Sequence, residues 1–278
     1  QTGAWEPIDE AMVINPNSGI MFAPIDMESD VAFSDYDAAD KTNPHGQLLG
    51  WNSCTDNIFV WLYSQNFSQY FLPYNTFDTV QENYELLLET GCVSILDQTQ
   101  SDSKGYMTGW NMAKAYLLKE LQWDNAQNTE DVLRRFFNRY YGDASYVMYS
   151  LFRDEMNWIN YIHSQLDAQG GVFEEILLQK YWPEDLLRSY MERIDKAYAA
   201  IKPIEQTDPE RYAQIYKRIQ AESLQFRYIL IQLYSGSYDA ETLYAEKTAF
   251  RADCEKLGIT LYAQNNSVSK LWEAWGIA

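Results

Sequence analysis

The sequence predicts an α/β unit followed by an all-α unit, on three observations. Up to about residue 100 the apolar runs are short and punctuated by Asn, Pro, Gly and Asp; beyond about residue 105 apolar residues recur at helical spacing almost to the end. Three of the short runs, GIMFAPID (19–26), NIFVWLY (57–63) and CVSILDQ (92–98), have no polar face, which suits strands of a parallel sheet covered on both sides. Between the second and third runs, Val80, Tyr84, Leu87 and Leu88 mark a helix over 77–90, and Gly91 stands where it should end.

Each element has its own justification. In the second strand Phe59, Trp61 and Tyr63 share one face, and Ile58, Val60 and Leu62 the other. Strand, helix, strand is a βαβ unit. A helix over 112–123 follows, then one from Asn128 or Thr129 as N-cap, with Val132, Leu133, Phe136, Phe137, Tyr140 and Tyr141 on a broad apolar face. A long helix keeps Met148, Leu151, Phe152, Glu155, Ile159, Ile162 and Leu166 in register until Gly170-Gly171. Three more helices fit 184–201, 209–234 and 239–257, the first opened by Pro183, and 259–264 reads as a short last strand. The expected division is 1–125 for the α/β unit and 126–278 for the helices. Three strands and one crossover helix cannot close a barrel. Either a small open sheet lies under a helical bundle, or the chain holds the back half of a larger α/β barrel.

Composition narrows the partners. The 278 residues carry a net charge of −19, which repels nucleic acid and anionic lipid. No run of about 18 apolar residues predicts a membrane span. Aromatic residues make up 15%, with 22 Tyr and 9 Trp. Such rings join a flat apolar face to a polar tip, which matches the apolar face and hydroxyl rim of a sugar; a large helical core uses them too. Cys54, Cys92 and Cys254 form no disulfide framework and no zinc signature. Two distant histidines, His45 and His163, with no HExxH, predict no catalytic metal, and no phosphate-binding or dinucleotide-binding glycine motif predicts a cofactor. Asp35, Asp37 and Asp40 are oxygen ligands at close spacing, but without the Gly and final Glu of a calcium loop they predict an acidic surface loop.

Ligands of parallel α/β folds meet the carboxyl ends of the strands. Those ends bring Asp26 and Glu28, then Tyr63, Gln65 and Asn66, then Asp97, Gln98 and Gln100. Acids and amides hold hydroxyls while rings stack. Asp26 or Glu28 against Asp97 is the pair expected to act as general acid and base or nucleophile on a glycosidic bond. Trp61, Tyr63, Asn66, Gln98 and the loop residues Tyr70 and Tyr74, expected to be exposed, would bind the substrate. Trp61 also fits a purely core role.

The ordered motifs Trp61-x-Tyr63, Asn66 to Pro73, Gly91 to Gln98, Leu121 to Asp124 and Tyr140 to Gly142 resemble the DUF4838 family over about residues 1 to 155. The resemblance implies the second half of a TIM-like (β/α) barrel followed by a helical domain, with the first barrel half outside this chain and a candidate partner for it. It also implies an extracellular or periplasmic bacterial protein that processes or binds an oligosaccharide or polysaccharide. The third strand departs from the family's pattern, ending Asp97-Gln98-Thr99 where the family often has Glu-Gln-Gly, and related hydrolases carry catalytic acids on a strand that would lie in the other half. The expected function is therefore part of a glycoside hydrolase-like domain, with a non-catalytic carbohydrate-binding module or a helical protein-interaction scaffold as alternatives.

Overall fold

The computed structural model describes Pro7, residues 11–100 and residues 105–278. Strands β1 (Ile20–Phe22), β2 (Ile58–Tyr63) and β3 (Ser94–Gln98) form a parallel sheet in the order β1-β2-β3, with Met21 beside Phe59, Trp61 beside Leu96, Leu62 beside Asp97 and Tyr63 beside Gln98. Helix α1 (Pro44–Asn52) connects β1 to β2, and α2 (Val80–Glu89) connects β2 to β3. The strand predicted over 19–26 is only three residues long, because the chain turns away after Phe22. Helix α1 was not anticipated. Asn43 accepts from the Gly46 amide and Pro44 occupies the first turn, so a standard start signal sits inside the acidic run. Asp37 and Asp40 cap the turns before it, accepting from the Ala39 and Thr42 amides.

The helices follow the predicted spans within about a residue, except at the two ends of the long helix α5. They are α3 (Asn111–Trp123), α4 (Thr129–Tyr141, capped by Asn128), α5 (Ser145–Leu166), α6 (Glu184–Ile201), α7 (Pro209–Leu233) and α8 (Ala240–Leu257). A short antiparallel pair, β4 (Leu261–Ala263) and β5 (Asn266–Ser267), and helix α9 (Val268–Trp275) complete the order. Helix α5 stops at Asp167, in the left-handed conformation, before the glycine pair. Helix α7 is the axis of the helical part: between Ile219 and Ile231 almost every side chain is buried, polar ones included.

One apolar core links sheet and helices, running from Phe22 and Val60 through Leu87 and Leu117 to Phe152, Phe226 and Ile277. Its many fully buried Leu, Ile and Phe side chains each contribute about 1.5–3 kcal/mol of transfer free energy. The sheet meets that core with one face only. Ile58, Val60 and Leu62 are buried, whereas on the opposite face Met21 is 58% exposed, Phe59 40%, Trp61 37% and Leu96 51%. The expectation of a sheet covered on both sides therefore holds only at the carboxyl end of β2, where Tyr63 is buried among Phe67, Tyr70, Tyr74 and Val172; at Met21, Phe59, Trp61 and Leu96 the face is open among the described residues. Among the described residues the three parallel strands do not close a barrel.

Candidate functional site

Alternation along the strands sorts the predicted site residues by face. Register sets Tyr63 beside Gln98 and Trp61 beside Leu96, all on the face away from the core, with Tyr63 at its covered end. There the rings of Trp61 and Tyr63 stack, with centroids 6.1 Å apart and planes 19° from parallel. The Trp61 indole donates to Gln98 Oε1 at 3.0 Å. Trp61 is thus held at both its ring and its N–H while its other surface stays open. Burial raises the Tyr63 pKa, keeping its hydroxyl neutral.

Asp97 lies on the opposite face, toward the helices. Its Oδ2 accepts from the Tyr84 hydroxyl at 2.9 Å, and its Oδ1 is buried without a hydrogen-bond partner. Burial pushes its pKa up. The pairing of Asp97 with Asp26 or Glu28 across a glycosidic bond is accordingly not supported by its orientation. A one-residue shift of face is the physical reason: Gln98, not Asp97, shares the face of Trp61. Near Asp97 lies Lys114, whose side chain is fully buried. Its Nζ donates to the carbonyls of Ser64 at 2.8 Å and Tyr74 at 2.6 Å. Burial lowers its pKa to about 7, against the pull of Asp97. No sequence reading singled it out; a lone Lys inside an otherwise apolar helix stripe was the available signal.

Lys114 ties together the two ends of the loop 64–75, and that loop differs from expectation. Tyr70 and Tyr74 are buried, so neither presents a ring face to a ligand. With Tyr63, Phe67 and Val172 they form a separate aromatic cluster. Tyr74 donates its hydroxyl to the Gly170 carbonyl at 2.7 Å, and the Tyr70 amide donates to the Tyr262 carbonyl at 2.8 Å. Asn66 is also buried: its Nδ2 donates to the Glu174 carbonyl at 2.8 Å and its Oδ1 accepts from the Ser68 amide. The aromatic density around Pro73 is the packing of a loop between two layers. Sequence could not show this, because the covering segment 168–176 arrives from far along the chain.

At the end of β1, Asp26 is exposed and lines an open cleft of about 340 Å³ with Lys41, Thr42 and Gln47. Glu28 is half-buried and accepts from the Gly170 amide. Burial raises its pKa, with Asp30 and Glu174 adding to the effect and the Gly170 amide opposing it. For Asp30 burial also acts upward, but contact with His163, whose Nδ1 is 3.2 Å away, outweighs it and the pKa is lowered. The two carboxylates therefore shift in opposite directions, the separation that acid and base roles require. They converge on Gly170, where a Cβ would stand 2.5 Å from Asp30 Oδ1 and 3.0 Å from Glu28 Oε2. Among the described residues no group of three or more His, Cys, Asp or Glu could hold a metal ion, and no helix is long and apolar enough to cross a membrane.

Comparison with curated proteins and with solved structures returns no match. The profile of a family described as a domain of unknown function, DUF4838, matches residues 4–151, which include all three strands of the sheet and the loop 64–75. That is more than half of the sequence, and the chain belongs to the DUF4838 family.

Proposed function

We propose that this chain supplies one wall of a carbohydrate-binding site at the carboxyl ends of its parallel strands. The observation that carries the reading is Trp61: exposed, stacked on Tyr63, and fixed through its indole by Gln98. An immobilised ring loses little freedom when a sugar stacks on it, and Gln98 adds an amide at the rim. Asp26 and the raised Glu28, at the end of the neighbouring strand, supply acceptors for hydroxyls. Partners of this kind, and an extracellular or periplasmic setting, are what the family resemblance implies.

The uncovered apolar face fits a sheet continued by further strands, as in a glycoside hydrolase-like barrel whose other half would complete the site. Glu28 and Asp97 both have raised pKa values, as a general acid needs, but Asp97 faces the helices, which leaves Glu28 as the candidate acid beyond the end of β1. Because Asp97 faces the helices, binding without hydrolysis is the reading favoured for this chain by itself. Titration with neutral oligosaccharides by calorimetry tests it. Trp61→Ala should weaken binding by about 1–2 kcal/mol, the order of one stacked ring. Unchanged affinity in that variant, with the fold intact, would sink the proposal.

A further inference from the structure

The helical part holds a second cleft, distant in sequence from the sheet and sharing none of its residues. It has a volume of about 460 Å³ and lies between α6, α7 and α8, within the range of small-molecule sites. Its apolar floor includes Ile194 and Leu230, and Tyr198 and Tyr216 are among its walls, with ring centroids 4.6 Å apart.

The polar lining is preorganised. Asp253 accepts from Arg227 at 2.5 Å through one oxygen and from the Gln220 amide at 2.7 Å through the other. Glu246 stands 3.9 Å from the Arg227 Nε. Gln220 is a buried residue whose Oε1 has no hydrogen-bond partner. A buried amide oxygen left unpaired is costly, and such groups in native proteins call for an explanation. Arg188 stands at the rim with its guanidinium over the Tyr238 ring, 5.8 Å from the centroid.

Charge narrows the ligand. The lining carries two arginines and two acids: Arg227 faces Glu246 and Asp253, and Arg188 at the rim is paired with Glu184, so neither sign of charge is left free to bind a charged ligand. An anion would meet the two carboxylates, and a cation the two guanidiniums. An uncharged ligand that both donates and accepts hydrogen bonds, with an apolar face for tyrosine rings, satisfies the lining. We propose that this cleft is a second saccharide site, binding one or two neutral sugar units with a hydroxyl directed toward the Gln220 side chain. It shares its ligand class with the site at the sheet but does not depend on it.

The test is to titrate the whole chain with a panel of neutral hexaoses (cello-, xylo-, malto- and chito-), following amide shifts by NMR. The expected result is perturbation centred on Tyr216, Gln220 and Arg227, and at least a tenfold loss of affinity there in Tyr216→Ala and Arg188→Gln. Trp61→Ala should leave that response unchanged, so failure of the sheet site and failure of this one are read separately. Arg188→Gln, at the exposed rim, keeps the test decisive if Tyr216→Ala does not fold. Absence of cleft perturbation by every sugar in the panel, or binding indifferent to both cleft variants, would overturn the proposal.

Discussion

At Trp110 a single residue joins the two halves of the protein. Its backbone is left-handed, with φ of 62°, directly after Gly109 at 67°. A non-glycine residue there costs of order 1 kcal/mol and persists only where its surroundings impose it. The constraint is visible: the Trp110 amide donates to Glu222 at 3.0 Å and its indole to Glu155 at 2.6 Å. Both glutamates are buried, and their hydrogen-bond donors are neutral: the Trp110 amide, the Tyr141 hydroxyl and the Gln225 side chain for Glu222, and the Trp110 indole for Glu155. Burial raises Glu222 to about 8 and Glu155 well above the carboxylate range. A carboxyl whose folded pKa is raised stabilises the fold at low pH and loses that stabilisation as pH climbs from its unfolded value toward the folded one. Stability should therefore fall between about pH 4.5 and 8, and Glu222→Gln should flatten this limb in denaturant melts across that range. Trp110→Phe, which leaves Glu155 without its donor, should cost about 2–4 kcal/mol. Gly170→Ala should likewise destabilise, because its methyl would strike Asp30 and Glu28.

The loop 64–75 is the element whose order depends on the most distant neighbours. Lys114 holds its two ends, so Lys114→Met should loosen it and cost about 2–4 kcal/mol, with faster amide exchange at Phe67 and Tyr70 as the reading. The Lys114 pKa, lowered to about 7, has the opposite sign to that of Glu222: its contribution grows as pH rises from about 7 toward 10.5. Much of the element order was legible from periodicity and punctuation. The spans of α2 to α8 followed from apolar stripes, Asn128 and Gly91. What escaped were features set by tertiary partners. Asp97 and Gln98 differ in face only through register with β2. Tyr70 and Tyr74 are buried by segments with no sequence link to them. Glu155, by contrast, stood in an apolar stripe at core register, a visible sign of a buried acid, although its donor, the Trp110 indole, was not visible.

On the scale of the whole molecule, the uncovered sheet face sets the behaviour of the chain in solution. Exposed contiguous apolar surface promotes association, and unpaired parallel edges offer templates for added strands. Replacing Met21 and Leu96 by Ser should leave stability within about 0.5 kcal/mol, since neither packs on the core. It should also reduce self-association in sedimentation velocity. The same changes at Val60 or Leu62 should unfold the chain. Comparable costs on both faces would show that the face is covered after all.

The bonds that close the loop 64–75 also fix an order of events. The Tyr70 amide reaches the Tyr262 carbonyl, and the Gln264 amide returns to the Phe67 carbonyl at 2.7 Å. Contacts so remote in sequence form late, after local helices and the βαβ unit. During synthesis, residues 64–75 would emerge well before Tyr262 and Gln264 and wait for them. The carboxyl end of β2 would therefore be among the last parts to mature, and a nascent chain would already hold its sheet before the loop that follows it was set.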